Sequence, residues 1–177
     1  MKKLIILLCA LLMACSSIRI ENVNQAENFA LSKYKTFDFF EVDASGDGIG
    51  SDYSANLELL KKAITKQFAA KGLTPADTPD VLVNIGIVVS QDVQTRETSF
   101  ANPGDRTAYM GQRNYSWQSQ EVVIGTFKQG SVTVDLVDRS TGKLVWQGTA
   151  ESVVPSNEKK VPTLIEEGMR MLFAKLK

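Results

Sequence analysis

The stretch from Gly130 to Gly148, GSVTVDLVDRSTGKLVWQG, restricts the fold more than any other part of the chain. Val132, Val134 and Leu136 alternate with Thr133, Asp135 and Val137. Leu144, Trp146, Gly148 and Ala150 alternate with Val145, Gln147, Thr149 and Glu151. A period of two marks a strand buried on one side. Turn parity then sets the register. A loop of four residues, Arg139 to Gly142, puts Val134 opposite Gln147. A loop of three, Ser140 to Gly142, puts Leu136 opposite Trp146 and Val134 opposite Gly148. Only the odd loop gathers the large apolar side chains on one face. It also places Gly142 where a G1 bulge needs positive φ, which glycine adopts at little cost. The expected inner face is Val132, Val134, Leu136, Leu144 and Trp146. The outer face is Thr133, Asp135, Gln147, Thr149 and Glu151. A sheet wet on one side implies an α+β fold: a two-layer sandwich with a mostly antiparallel, mixed sheet and two main helices on one face.

The 177 residues and their 44% hydrophobic content suffice for a single core. Lysines and arginines equal aspartates and glutamates, at 20 each. With no basic surplus, a nucleic-acid partner is not expected. Histidine is absent, and the only cysteines are Cys9 and Cys15. Most nucleophile–base pairs and soft-ligand metal sites are thereby removed, and neither a cofactor nor a metal is expected. No phosphate-binding glycine loop, dinucleotide fingerprint or nucleophile elbow is present. The strand carboxylates Asp135, Asp138 and Glu151 offer the one acid–base possibility. They read more simply as solvent-facing side chains, so the chain is expected not to be an enzyme.

The first residues read as an address. Lys2 and Lys3 precede the apolar run Leu4 to Met13. That run is shorter than the roughly 20 residues of a membrane span, so it reads as a leader. Leu12-Met13-Ala14-Cys15 resembles a bacterial lipobox. The resemblance implies acylation of Cys15 and removal of residues 1–14. Residues 15–28 are then a tether with a possible short strand at Ile18 to Val23, and 29–177 are one α+β domain. Several acyl chains anchor stably where one alone is marginal. Ser16 and Ser17 follow in place of aspartate, which in similar lipoproteins of Gram-negative bacteria implies delivery to the outer membrane, facing the periplasm.

Lys35 to Val42 reads as a strand. Asp43, Ser45, Asp47 and Gly48 fall on the first positions of a calcium loop, but Ser54 stands where its bidentate glutamate belongs. A connecting turn is expected there instead. Asp52 to Lys71 carries a helical stripe of Tyr53, Leu57, Leu60, Ile64 and Phe68. Gly72 and Leu73 suit a Schellman cap on Phe68. Asp80 to Val89 reads as a central strand, interrupted in its apolar run by Asn84 and Gly86. Pro162 opens a last helix with Leu164, Ile165, Met169, Leu172 and Leu176 on one side. Gly168 within it suggests close approach to the sheet.

Ser90 to Gln120 is polar and mixes arginine with aromatics. Strands are expected at its two ends, with a flexible middle near Asn102 to Arg106. Arg96, Arg106, Tyr109, Arg113, Tyr115 and Trp117 form the candidate partner surface, since such residues dominate contact sites.

Taken with YKTFDF at Tyr34 to Phe39, PDVLVNI at Pro79 to Ile85 and GSVTVDLVD followed by GKLVWQGTA, the chain resembles the bacterial lipoprotein family called domain of unknown function 4136. The resemblance implies an α+β envelope lipoprotein and supplies no catalytic residues. The expected role is a non-enzymatic module, held in the membrane by acyl chains on Cys15, that binds a protein or other envelope component. The alternative is a carrier or sensor of a small apolar ligand, held in a pocket beside Trp146, Phe68 or Leu172.

Overall fold

In the computed structural model the described residues are 17–47, 49–99, 102, 105 and 119–177. They form strands β1 (Arg19–Gln25), β2 (Thr36–Ser45), β3 (Thr74–Pro75), β4 (Val81–Glu97), β5 (Glu121–Asp138) and β6 (Lys143–Val154). The helices are α1 (Tyr53–Ala70) and α2 (Val161–Phe173). The sheet order is β1-β6-β5-β4-β2-β3. β1 and β5 each pair antiparallel with β6, while β2 pairs parallel with β3 and β4. The result is the expected α+β architecture with a mixed sheet. By compactness the chain divides into two units. One holds the residues up to Ser90 together with Lys128–Lys177; the other is Gln91–Phe127.

In the first unit, alternate residues of the sheet turn inward: Phe37, Val81, Val83, Ile85, Val134, Leu136 and Trp146. They meet Leu60, Ile64 and Phe68 of α1 and Met169, Leu172 and Phe173 of α2 in one cluster. Phe173 was not part of the expected stripe of α2, although it is fully buried. α1 ends as its sequence predicts. Leu73 N–H donates to Phe68 O at 3.0 Å and Gly72 N–H to Ala69 O at 3.0 Å, with Gly72 at φ +86°. These are the two bonds of a Schellman cap. Lys71 then reaches the chain just past the end of α2, its Nζ donating to Leu176 O at 2.7 Å.

The hairpin keeps the expected register but reaches it differently. Leu136 pairs with Trp146 and Val134 with Gly148. Nearer the turn, Val137 pairs with Leu144 and Asp138 with Lys143. The loop is therefore Arg139 to Gly142, and the odd residue is Val145, a bulge inside β6. A bulge turns the strand by one residue. Val145 thus goes inward at 9% exposure, while Leu144, expected in the core, is 48% exposed. Ala26 N–H donates to the Val145 carbonyl at 3.0 Å. Gly142 does take positive φ, +65°.

Gly168 also differs from expectation. A Cβ there would meet nothing within 4 Å, so no close approach requires the glycine. Its helical position carries a cost of about 1 kcal/mol relative to alanine. Gly168→Ala is expected to stabilise the protein by up to about that amount, read as a raised melting temperature by circular dichroism. A lowered one would mean that the surrounding core closes on the site.

In the second unit, Thr98 N–H donates to Gln120 O at 2.8 Å and Gln120 N–H to Thr98 Oγ1 at 2.9 Å. The strand expected at the far end of this segment begins, among the described residues, at Glu121. Among the described residues no helix is long and apolar enough to cross a membrane.

Candidate functional site

Of the six residues expected to form a partner surface, the described structure contains Arg96. Its Nη1 and Nη2 both donate to Asp105, each at 2.7 Å. Ser99 N–H also donates to Asp105, at 3.0 Å. The Arg96 guanidinium, and after it the Ser99 N–H, holds the Asp105 carboxyl well below the usual carboxylate range. A bidentate pair of this kind fixes geometry. It also takes Arg96 out of the set of free contact groups, so its role here is to tie the segment together. Arg106, Tyr109, Arg113, Tyr115 and Trp117 lie outside the described residues, as does Cys15.

A cleft of about 500 Å³ lies by the hairpin turn, lined by Lys33, Tyr34, Pro79, Asp80, Asp138, Arg139 and Ser140. Its two carboxylates hold the backbone in place. Asp80 accepts from Lys35 N–H at 2.8 Å and Thr36 N–H at 3.1 Å, which lowers its pKa. Asp138 accepts from Ser140 Oγ at 2.6 Å, Thr141 N–H at 3.0 Å and Tyr34 Oη at 3.0 Å. The Ser140 hydroxyl, then the Thr141 N–H, brings Asp138 down to about 2. Burial, followed by Asp138, raises the Tyr34 hydroxyl. Neither carboxylate carries a proton near neutral pH, and neither is suited to give or take one there.

Asp138 makes this end of the hairpin acid-sensitive. Its pKa is lower folded than unfolded, where about 3.9 applies. The stability it contributes is therefore complete above pH 4 and is lost as pH falls toward 2. Thermal melts of Asp138→Asn should show lower stability than wild type at pH 7 and a smaller loss between pH 4 and 2. Parallel profiles for the two proteins would show that the turn does not depend on this carboxylate.

The other candidate is the sheet face away from the helices. The Asp80–Arg139 backbone bond and the Gly86–Thr133 side-chain approach move in opposite directions along β4 and β5 by equal steps. The strands are thus antiparallel there, and Asn84 falls opposite Asp135. Asn84 Oδ1 and Asp135 Oδ1 are both buried without a hydrogen-bond partner. Leaving a buried acceptor unpaired costs about 1–3 kcal/mol. On the far side of Asn84, β2 carries a bulge between Phe39 and Val42. Phe40, within that bulge, is 69% exposed. Asp135 pairs with Gln147 across β6, and Thr133 with Thr149, their hydroxyls 3.0 Å apart. Asp38, opposite Leu82, and Asp43, opposite Gly86, add exposed carboxylates to the same face.

Sequence reasoning had picked out Asn84 and Asp135 separately. Their meeting depends on the register of β4 against β5, which no local pattern reveals. Asp135 and Glu151 do not form a working carboxylate pair. Their partners on the neighbouring strands are Gln147 and Ser131, so they stand about 13 Å apart along the strand direction. The calcium-loop residues are likewise dispersed, because Asp43 and Ser45 belong to β2.

Together these features define an open-faced α+β sandwich with an apolar core, an open cleft at the hairpin turn and a polar sheet face. Residues 21–176 match the family described as a domain of unknown function, DUF4136, and the chain belongs to that family. No protein with a curated description matches it. Among solved structures it is similar to a PDZ domain protein from Parabacteroides distasonis, at 12% identity and a TM-score of 0.49, covering 89% of this chain and 36% of that one. It therefore spans about a third of that relative's length. It is also similar to a PelC dodecamer from Paraburkholderia phytofirmans, at 13% identity and a TM-score of 0.43, covering 86% of this chain and 94% of that one. A third similar structure, from Helicobacter pylori, is described as a homolog of a neuraminyllactose-binding hemagglutinin. There identity is 10% and the TM-score 0.43, over 76% of each chain.

Proposed function

We propose that this protein is a non-enzymatic module of the bacterial cell envelope, acylated at Cys15 in the outer membrane and facing the periplasm, which binds a protein partner or other envelope component through its helix-free sheet face. The observation that carries the reading is the pair of unpartnered buried acceptors, Asn84 Oδ1 and Asp135 Oδ1, at the centre of a face with the carboxylates Asp38 and Asp43. A partner presenting lysine or arginine would neutralise the exposed Asp38 and Asp43 carboxylates on that face. The carboxylates of the cleft are occupied with backbone groups, which supports binding over acid–base chemistry.

The apolar-ligand alternative needs an empty pocket beside Trp146, Phe68 or Leu172. All three side chains are fully buried. The Phe68 ring centroid lies 4.4 Å from that of Phe37 and 4.9 Å from that of Phe173. Packing of this kind favours the binding-module reading.

The test is in-cell crosslinking followed by affinity purification of the full chain, beside a Cys15→Ala control. The expected result is one specific partner recovered with the acylated protein and lost with the control. Purification free of any partner, but with co-purifying lipid, would overturn the proposal in favour of the carrier.

A further inference from the structure

We infer that the helix-free sheet face takes a basic amphipathic helix of its partner, laid across the strands, and that neither outer edge of the first unit accepts an added strand. This rests on the docking role proposed above for that face and adds the kind of element that docks there. In the β4–β5 register Leu82 falls opposite Val137. Val137 pairs with Leu144 across β6, and Leu82 with Asp38 across β2. Their chain neighbours Phe37, Val81, Leu136 and Val145 turn into the core. Asp38, Leu82, Val137 and Leu144 therefore form one row on the outer face. Leu144 is half-exposed, and Leu82 and Val137 are partly so. Neighbouring strands lie about 4.8 Å apart, so the three apolar side chains span about 10 Å. A helix brings an apolar stripe round about every 5.4 Å, so two of its turns cover the row. An extended strand repeats the same side only about every 6.8 Å and falls out of step.

Charge selects what flanks the stripe. Asp38 closes one end of the row, and Asp43 and Asp135 lie on the rows beside it. Glu21 and Glu151 extend the same face toward β1, where Arg19 stands opposite Glu151. At the turn Asp80 and Arg139 add one charge of each sign, joined by the Arg139 N–H to the Asp80 carbonyl. Carboxylates remain in excess. Asp38 accepts from the Phe39 N–H at 2.8 Å, and both Asp38 and Asp43 stay exposed. Lysine or arginine beside the apolar stripe of the incoming helix complements them.

The outer edges close the alternative route. β1 slips in register between Glu21 and Asn24, with Asn22 at φ +51°. On the opposite side β3 covers only Thr36 and Phe37 of β2, and beyond it β2 bulges between Phe39 and Val42. Bulges at edges interrupt the run of backbone groups that an added strand needs.

The test titrates the full chain into two fluorescent leucine–lysine peptides of equal length and composition, kept dilute enough to stay monomeric. One has its leucines at helical spacing; in the other leucine and lysine alternate. Fluorescence anisotropy should show the helically spaced peptide binding severalfold more tightly. Leu144→Asn should weaken that binding severalfold, and Asp38→Lys with Asp43→Lys by roughly tenfold at low salt. All three changes are at exposed positions, so the variants should fold, as circular dichroism checks. Equal or tighter binding of the alternating peptide, lost on charge reversal, overturns the helix and keeps the acidic docking face. Binding lost on charge reversal but indifferent to Leu144→Asn does the same for the apolar row. No binding by either peptide, or binding that survives the charge reversal, overturns the inference together with the docking role of the face.

Discussion

Replacing Phe68 with alanine is expected to remove about 3–5 kcal/mol of stability. Phe68 joins the two layers. It is fully buried on α1, with its ring 4.4 Å from Phe37 of the sheet and 4.9 Å from Phe173 of α2. The Phe68–Phe173 contact is edge to face, at 88° between planes, an arrangement that aromatic pairs favour beyond the area they bury. Truncation loses the transfer energy of the ring and leaves a cavity bounded by aromatic rings on both sides. Those rings cannot move in without breaking their own contacts, Phe37 with Phe39 and Phe173 with Trp146. Total stability of a domain is of the order of 5–15 kcal/mol, so the variant should melt about 10 °C lower. Phe68→Leu should lose much less. Phe40→Ala, on an exposed ring, should change stability by less than about 0.5 kcal/mol. Urea denaturation of the three variants checks the ranking. Comparable losses at Phe68 and Phe40 would mean that the core is not organised around Phe68.

The second large effect is expected at Gly46. It follows β2 directly at φ +111°, and a Cβ built there would collide with the carbonyl oxygen of Val89 on β4. The obstacle is backbone, so no rotamer change relieves it. Alanine must push the two parallel strands apart and also adopt a left-handed conformation, together costing roughly 2–4 kcal/mol. Gly142 supplies the comparison. Its φ is +65°, but a Cβ there would meet nothing within 4 Å. Asparagine tolerates positive φ. Gly142→Asn should therefore recover most of what Gly142→Ala loses, whereas Gly46→Asn should be as damaging as Gly46→Ala. Thermal melts of the four variants decide it. Recovery by asparagine at Gly46 would show that conformation, and not the Val89 carbonyl, is the constraint.

These two sites also show where sequence reading succeeds and where it stops. The stripe that contains Phe68 recurs at helical spacing, so the inward face of α1 is legible, and Gly72 announces the end of that helix. The hairpin register is legible too, because only one parity brings Leu136 to Trp146. The position of the extra residue is not. A three-residue loop and a bulge at Val145 give the same pairing beyond Trp146, and what distinguishes them is the Ala26 N–H at the Val145 carbonyl, supplied by a distant part of the chain. Leu144 was consequently assigned to the wrong face. Gly46 belongs with Asp47 and Gly48 in a turn-like run, and nothing local announces that Val89 will sit against it.

The same division holds for the candidate sites. An arginine–aromatic mixture is conspicuous in sequence, but Arg96 spends its guanidinium on Asp105. Asn84 and Asp135 each stand out singly in sequence, and become a pair only through the register of β4 on β5. Even the bulge in β2 beside Asn84 is hidden in the run FDFFEV, where either register buries a phenylalanine.

The central claim is that the helix-free sheet face is where a cationic partner docks. It is tested most directly by placing a photo-crosslinking amino acid at Leu82, beside Asp38 on that face, or at Lys62 on the exposed side of α1. The protein is irradiated in the cell in its acylated form. The account predicts a discrete adduct from position 82, none from position 62, and loss of the adduct when Asp38→Lys and Asp43→Lys reverse the charge. An adduct from position 62 alone, or one from position 82 that survives the charge reversal, would contradict it.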